Sequence, residues 1–318
     1  ILPDQSDSAS LDNMLELLIL SGRSLPHAML MLIPAAWEEN SFMDETVRAF
    51  YRYHACLMEP WDGPAAIALT DGVRIGAVLD RNGLRPARYL VTTDGMVVMA
   101  SEVGVLDIEP HKIAASGRLE PGKIFFIDTE EGRIIDDAEV KKSVATRAPY
   151  AAWLAQNMVE LNVRSGKITT GTDDEQPVTL MNAFGYTRED LKMTIRPMAE
   201  EGKEPVGSMG ADTPHAVLSK RPQLIYAYFK QLFAQVTNPA IDPIREKLVM
   251  SLECFMGPRK NLLAETPGHC RKVHLRCPVL TNGELESLRT ITDEGFRTKT
   301  VSTLFPAAAS DGFMRALD

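Results

Sequence analysis

Apolar residues follow a helical period over the N-terminal part of the chain. They predict two short helices between residues 11 and 33, because Gly22 suits the position just past a helix end and Pro26 suits a first turn. A third helix is predicted from Asp44 to Met58, with Asp44 capping its first turn. We expect these helices to cover one face of a sheet formed by the residues that follow.

The apolar pattern then changes to that of β-strands. Three pairs of strand-like runs flank Asp71-Gly72, Asp94-Gly95 and Glu131-Gly132. An Asp-Gly pair is the turn chemistry of a two-residue hairpin, since glycine accepts positive φ without steric cost. Six strands joined by hairpins predict one antiparallel sheet. The runs are residues 65–69 with 73–79, 89–91 with 96–99, and 124–127 with 133–135.

Helical patterns return in the second half of the chain. One helix is predicted from Val140 to Leu161, and the polar stretch from Arg164 to Pro177 has the composition of a linker. Such patterns then alternate with strand-like ones, which favours a βαβ unit and an α/β domain with some parallel pairing. The predicted elements are helices at residues 188–201, 223–236 and 243–256, a strand at 273–280, a helix at 284–291 and a strand at 298–305.

Length and charge narrow the class of protein. The 318 residues are 45% hydrophobic and 24% charged, which is enough for two globular cores. A net charge of -9 opposes a nucleic-acid-binding face, which needs clustered Lys and Arg. The longest apolar run, Ala28 to Trp37, is too short to cross a membrane and contains Pro34.

The cysteines and the chain ends indicate the cellular location of the protein and whether the sequence is part of a longer chain. Cys56, Cys254, Cys270 and Cys277 are scattered without a CxxC motif, which favours reduced thiols over a disulfide framework. No export signal is visible, so a cytoplasmic location is predicted. The chain opens at Ile1 without an initiator Met and closes in an apolar, helix-like pattern, which predicts a piece cut from a longer protein.

The most specific motif lies between two predicted strands. Residues 80–89 read DRNGLRPARY and are followed by Ala100-Ser101-Glu102. Both resemble segments of class II glutamine amidotransferases, and the wording is similar to the glutamate synthase branch. The segment 53–58 looks more like the bacterial pyridine-nucleotide-dependent form than the ferredoxin-dependent one. Other segments that resemble glutamate synthases, in the right order, are residues 59–65, 204–210, 229–239 and 241–246.

The resemblance implies an arrangement of domains. Residues 1–161 would be the C-terminal part of a class II amidotransferase domain, within an αββα layer of the Ntn-hydrolase type. Residues 162–177 would be a linker, and residues 178–318 would be the N-terminal part of an incomplete α/β central domain. The expected fold class is therefore α+β followed by α/β.

The resemblance also implies an oxidoreductase with two active centres. In the family, glutamine is hydrolysed, the ammonia passes through the protein interior, and 2-oxoglutarate is reductively aminated to glutamate. No cofactor is expected within this chain, while FMN, an iron–sulfur cluster and NADPH are implied for the parent enzyme. The implied partners are glutamine, the remaining FMN domain of the same chain and a small electron-donor subunit, with no nucleic acid and no membrane.

The catalytic groups of the family have no counterpart in this sequence. The family's nucleophile is an N-terminal cysteine whose own amino group is the base, and its oxyanion hole is an Asn-Gly segment that would precede Ile1. Asn82-Gly83 is not that segment. We therefore expect no catalytic residue and no glutaminase activity in this chain alone.

Asp7 is the one residue that the resemblance assigns to the substrate. It matches the family's SDS stretch, where an Asp receives the α-ammonium group of glutamine through a charge-assisted hydrogen bond. The alternative is a helix cap shared with Ser8 and Ser10.

Other polar groups are given structural roles. Arginines of the DRNGLRPARY segment are expected to bond to backbone carbonyls and to Asp80. The structural core of the site is predicted to be Arg81, Gly83, Arg85 and Pro86. A second set has the residue types of zinc ligands, but its irregular spacing argues against a zinc site. That set is His269, Cys270, His274 and Cys277.

Two other functional classes stay open. The chain could belong to another class II glutamine amidotransferase, although the phosphoribosyl- or ATP-binding motifs of those relatives do not occur after residue 175. It could also be a non-catalytic scaffold module.

Overall fold

A computed structural model describes residues 3–161, 177–202, 243–291 and 295–301, together with residues 205, 218, 220 and 241. The chain divides into two compact units, one formed by residues 1–168 with 244–318 and the other by residues 169–243. The predicted linker and the predicted helix at 223–236 lie outside the described residues, apart from Pro177. The predicted domain boundaries at 161 and 177 stay predictions.

Helices open the first unit and recur along the chain. The second unit holds α6 to α8, and a π-helical segment, Leu191–Ile195, joins α7 to α8. The bounds are α1 (Asp7–Leu20), α2 (Leu25–Leu32), α3 (Glu45–Ala55), α4 (Asp137–Ala145), α5 (Tyr150–Asn157), α6 (Pro177–Ala183), α7 (Arg188–Asp190), α8 (Arg196–Glu201), α9 (Pro243–Val249) and α10 (Asn282–Arg289).

The strands form three sheets within the described residues. An antiparallel sheet has the order β1-β2-β6-β7, a second antiparallel sheet has the order β4-β3-β5, and a third, mixed sheet has the order β8-β10-β9. The bounds are β1 (Ala66–Thr70), β2 (Arg74–Leu79), β3 (Arg88–Thr92), β4 (Val97–Ala100), β5 (Ile113–Arg118), β6 (Ile124–Asp128), β7 (Arg133–Ile135), β8 (Val159–Glu160), β9 (Cys254–Met256) and β10 (Val273–Leu275).

Local chemistry explains where the first helices begin and end. The Ser6 side chain accepts a hydrogen bond from the Ala9 amide at 3.3 Å, and Asp44 accepts one from the Thr46 amide at 2.9 Å. Gly22 follows α1 with a φ of 97°, which glycine adopts without steric cost. The three predicted N-terminal helices are therefore confirmed, including the cap at Asp44.

The core of the first unit lies between the helices and the four-stranded sheet. Side chains of α2, α3 and α5 pack in one cluster with Val78 of β2 and Phe126 of β6. The opposite face of the same sheet contributes Ala77 and Leu79 to a smaller cluster, against which Tyr89 of β3 packs. The four-stranded sheet thus has helices on one face and the β4-β3-β5 sheet on the other.

Part of the chain beyond residue 243 packs on the N-terminal part. Val159 of β8 pairs in parallel with Val273 of β10, and β10 pairs antiparallel with β9. The Arg23 guanidinium donates to the Leu262 carbonyl at 2.8 Å. Described residues from before 169 and after 243 therefore build one compact unit.

The three hairpins at Asp71-Gly72, Asp94-Gly95 and Glu131-Gly132 are confirmed, but the prediction of one six-stranded sheet is wrong. A seventh strand, β5, pairs with β3, so the hairpins are divided between two sheets. Ala115 and Ser116 of β5 are small and exposed, so the strand lacks the apolar alternation that identifies strands in a sequence.

Two predicted helices are shorter than expected. The pattern from Val140 to Leu161 contains Pro149, and the structure has α4 and α5 on either side of a break there, followed by β8. The helix predicted from 243 to 256 ends at Val249, and its last residues form β9 because they pair with β10.

Later elements agree in part with the pattern. The helices predicted at 188–201 and 284–291 are present, while the strand predicted at 273–280 is limited to β10. Residues 298–301 are not in a strand, and the rest of the strand predicted at 298–305 lies outside the described residues. No helix in the described parts of the chain is both long and apolar enough to span a membrane.

Candidate functional site

The DRNGLRPARY segment begins with a buried carboxylate. Asp80 is 2% exposed and follows β2 directly. Its side chain accepts hydrogen bonds from the backbone amides of Ala65 at 3.0 Å, Asn82 at 2.9 Å and Gly83 at 3.2 Å. Backbone amides, and not the predicted arginines, therefore satisfy this carboxylate, which fixes the turn at the end of β2.

The arginines of this segment contact other groups. Arg81 Nη2 lies 2.8 Å from Asp62 Oδ2, and its side chain is 17% exposed. The Nε atom of Arg85 lies 3.5 Å from the Pro64 carbonyl oxygen, and the Arg85 side chain is exposed. The prediction that these arginines bond to Asp80 is therefore wrong for Arg81 and Arg85.

Gly83 is required by the geometry of this turn. Its φ is 61°, in the left-handed region, and a Cβ placed there would lie 2.4 Å from Cγ of Pro121. Any other residue would combine backbone strain with a clash. This contact agrees with the structural role predicted for Gly83.

A cleft of about 740 Å³ brings together several predicted site residues. Asp7 lies on its wall with Arg85 and Pro86 of the DRNGLRPARY segment. Ser101 and Glu102, which follow β4, line it as well. The cleft therefore joins the two motif segments to the start of α1, with a carboxylate available to receive a cation.

Asp7 is free of the capping role that the alternative gave it. Ser6 is the N-cap of α1, and Asp7 is an exposed residue of the first turn. The positive end of the helix dipole interacts favourably with a carboxylate at this position, where Asp7 lines the cleft. The geometry is compatible with binding an ammonium group.

The two buried cysteines, Cys56 and Cys270, are poorly suited to nucleophilic chemistry. Burial raises the pKa of Cys56 and of Cys270 to about 12, and it raises the pKa of Cys254 as well. A thiol with such a pKa carries almost no thiolate at neutral pH. Buried thiols of this kind fill space in the core.

The residue set with zinc-ligand types does not converge among the described residues. His269 instead contacts the backbone oxygen of Asn261 at 3.0 Å, and His274 contacts the Glu160 carboxylate at 2.8 Å. The described residues contain one group of three or more ligand-type side chains that converge, and it is His27, His54 and Glu265.

This second group was not recognised in the sequence. His27 lies on α2 and His54 on α3, where each is part of an apolar run, and Glu265 is more than 200 residues away. Burial lowers the pKa of His27 to about 2 and that of His54 to about 3, so both imidazoles are neutral. The histidines on apolar helix faces were the available signal, but nothing in the sequence pointed to Glu265.

Two family models match the chain in succession. Residues 1–153 match the model of class-II glutamine amidotransferases, which gives the class of the first part of the chain. Residues 179–318 match the model of the glutamate synthase central domain. The chain belongs to the glutamate synthase family. The predicted resemblance is thereby confirmed, and a mixed helix and sheet fold agrees with it.

Individual relatives agree with the family models. The "Glutamate synthase [NADPH] large chain" of Bacillus subtilis is 48% identical over 305 residues, which cover 95% of this chain and 20% of the relative. The "Glutamate synthase [NADH]" of Schizosaccharomyces pombe is 48% identical over 297 residues, 90% of this chain and 14% of the relative. The "Ferredoxin-dependent glutamate synthase, chloroplastic" of Oryza sativa is 47% identical over 306 residues, which cover 95% of this chain and 19% of the relative. The chain spans about a fifth or less of the length of these relatives.

Proposed function

We propose that this chain serves in the synthesis of glutamate from glutamine and 2-oxoglutarate, as part of a glutamate synthase. The observation that carries the proposal is the cleft that Asp7 shares with Arg85 and Glu102, because it joins the motif segments at one place. The match to the central domain favours this family over other class II amidotransferases. A free-standing scaffold module would not require a carboxylate in the cleft beside the motif segments.

The proposed architecture is part of an αββα amidotransferase layer followed by part of an α/β central domain. Support for the first part comes from the four-stranded sheet, which packs against helices on one face and against Tyr89 of the second sheet on the other. Antiparallel pairing throughout both sheets agrees with this class of layer.

Asp7 is proposed to orient glutamine within the cleft. An ammonium group on a carboxylate forms a charge-assisted hydrogen bond, which is stronger than a neutral one. The surrounding hydroxyl of Ser101 and the carboxylate of Glu102 give the cleft further polar atoms near this position. Glutamine would therefore be held by its α-ammonium group at the start of α1.

Calorimetric titration with L-glutamine tests this role. The Asp7→Asn variant is expected to bind glutamine at least about tenfold more weakly, since a hydrogen bond to a charged group contributes about 1.5–3 kcal/mol. Asp12→Asn is the matched control, because Asp12 is an exposed residue of the same helix that does not line the cleft. Equal glutamine affinity of the two variants would contradict the proposed role of Asp7.

Cleavage of glutamine is proposed to need residues other than those of this chain. A cysteine acts as a nucleophile in its thiolate form, and burial keeps the thiols of Cys56 and Cys270 protonated. The chain would then supply the substrate-orienting wall and the scaffold of the glutamine site, without hydrolysing glutamine by itself.

FMN, an iron–sulfur cluster and NADPH are proposed as cofactors of the whole enzyme. A FMN domain and a small electron-donor subunit are the proposed partners. The chain is about equally identical in sequence to relatives named as NADPH-, NADH- and ferredoxin-dependent, so the NADPH dependence stays a prediction. One of these relatives is named as chloroplastic, so the cytoplasmic location also stays a prediction.

A further inference from the structure

Two imidazoles and a carboxylate meet inside the helical core of the first unit. The Nε2 atoms of His27 and His54 lie 2.8 Å apart. Oε1 of Glu265 lies 3.8 Å from His27 Nε2 and 3.9 Å from His54 Nε2. Both histidines are buried, at 0% and 3% exposure. Three atoms that can serve as metal ligands therefore point into one small space.

We propose that His27, His54 and Glu265 form a binding site for a divalent transition-metal ion. A point equidistant from the three atoms lies about 2.1 Å from each, which is the length of a zinc–nitrogen or zinc–oxygen bond. Two imidazoles and one carboxylate are ligands that suit zinc and cobalt, whereas magnesium and calcium prefer oxygen alone. The site is therefore expected to bind zinc or cobalt in preference to magnesium or calcium.

The two imidazoles differ in the hydrogen bonds that support a metal ligand. Nδ1 of His54 lies 2.8 Å from the Phe50 carbonyl oxygen, which only an N–H can contact, so Nδ1 carries the proton and Nε2 keeps its lone pair. Nδ1 of His27 has no hydrogen-bond partner among the described residues. When a metal occupies Nε2 of His27, the proton of that imidazole moves to Nδ1, which has no acceptor among the described residues, so this imidazole lowers the metal affinity of the site.

The metal would replace the hydrogen bond between the two histidines. Tetrahedral coordination needs about 3.3 Å between neighbouring ligand atoms, so the two Nε2 atoms would move apart by roughly half an ångström. The Tyr150 hydroxyl donates to Oε1 of Glu265 and holds that carboxylate in place. Arg147 lies 3.9 Å from Oε2 of Glu265, and its positive charge reduces the affinity for a cation.

The site joins segments that are distant in sequence. His27 belongs to α2, His54 to α3, and Glu265 lies just before the 3₁₀ turn Pro267–Cys270. An ion held by all three would attach the segment around residue 265 to the helices of the first unit. A structural role follows, because an ion that binds only the folded chain raises its stability.

Titration of the chelator-treated chain with Co²⁺ and Zn²⁺ tests the proposal. Visible absorption of tetrahedral Co²⁺ is expected to reach its maximum at one equivalent, and Zn²⁺ is expected to raise the melting temperature. Glu265→Gln keeps an oxygen that accepts from Tyr150 but loses the charged ligand. We expect it to weaken metal binding by at least about a hundredfold, because even outer partners of metal ligands contribute tenfold to a hundredfold.

The control is His111→Ala, since His111 is an exposed histidine outside the cluster. This variant should keep the full cobalt spectrum. His27→Ala should lose it, and Glu265→Gln decides the matter if His27→Ala does not fold. The proposal is overturned if the original chain shows no cobalt absorption and no zinc-induced stabilisation, or if Glu265→Gln and His111→Ala respond alike.

Discussion

Oε2 of Glu160 lies 2.8 Å from Nδ1 of His274, although 114 residues separate the two in sequence. The residues face each other across the parallel pair of β8 and β10. Arg52 of α3 contacts Oε1 of the same carboxylate at 3.1 Å. This ion pair therefore ties the part of the chain before residue 161 to the part after residue 243.

The stability of the first unit is expected to depend on the charge of His274. Glu253, at 3.3 Å from Nε2, and Glu160 raise the pKa of His274 above its usual value, against the opposing effects of burial and of Arg52. A raised folded-state pKa adds stability that is complete below the unfolded value near 6.5 and is lost as pH rises through the folded value. The melting temperature should therefore fall over that interval.

Thermal unfolding from about pH 6 to about pH 9 measures this effect. His274→Gln should be less stable than the original chain at the low end of the range and should lack this part of the pH dependence. His111→Gln serves as the control because His111 is exposed. A pH profile that is the same in His274→Gln and in the original chain would rule out this role of His274.

Burial within the helical core determines the cost of losing a leucine side chain. Leu32 is 0% exposed and Leu20 is 78% exposed. Leu32→Ala is expected to lower the free energy of unfolding by about 2–5 kcal/mol, while Leu20→Ala changes it by less than about 0.5 kcal/mol. Chemical denaturation of both variants checks the difference, and similar losses would show that the core is placed wrongly.

Gly83 is expected to tolerate no side chain. Gly83→Ala would combine a φ of 61° with a Cβ 2.4 Å from Pro121, whereas Gly95→Ala has a φ of 89° and open space around its Cβ. The left-handed conformation alone costs about 1–2 kcal/mol. Denaturation should therefore show a clearly larger loss for Gly83→Ala. Equal losses would mean that the contact with Pro121 does not constrain the turn.

Local turn chemistry made the hairpins predictable, but sheet membership was not. Asp71-Gly72 and Asp94-Gly95 are signals within two residues, so each hairpin could be read directly. The β5 strand pairs with β3 across more than 20 residues and has small residues at its centre, so neither its existence nor the division into two sheets was visible. Pairing with β10 likewise converted the end of a helical pattern into β9.

In the candidate site, too, local sequence motifs were predictable and long-range contacts were not. Asp7 and the DRNGLRPARY segment match sequence motifs of the family, so they could be identified from the sequence. The cleft that joins them is visible only in the folded structure. The partners of Arg81 and Asp80 were misassigned because backbone amides leave no trace in a sequence. Glu265 joins the two histidines only through tertiary packing, and no periodicity marks such a contact.

The most direct test of the central claim is an NMR titration of the chain with isotope-labelled L-glutamine. The account predicts that glutamine resonances broaden through binding at the Asp7 cleft, and that no glutamate resonances grow with time, because the thiols of Cys56 and Cys270 stay protonated and the proposed nucleophile belongs to another part of the enzyme. Asp7→Asn should reduce the broadening in line with an affinity that is at least about tenfold weaker, and Asp12→Asn should keep it. Sharp glutamine resonances at saturating protein, or a steady growth of glutamate, would contradict the account.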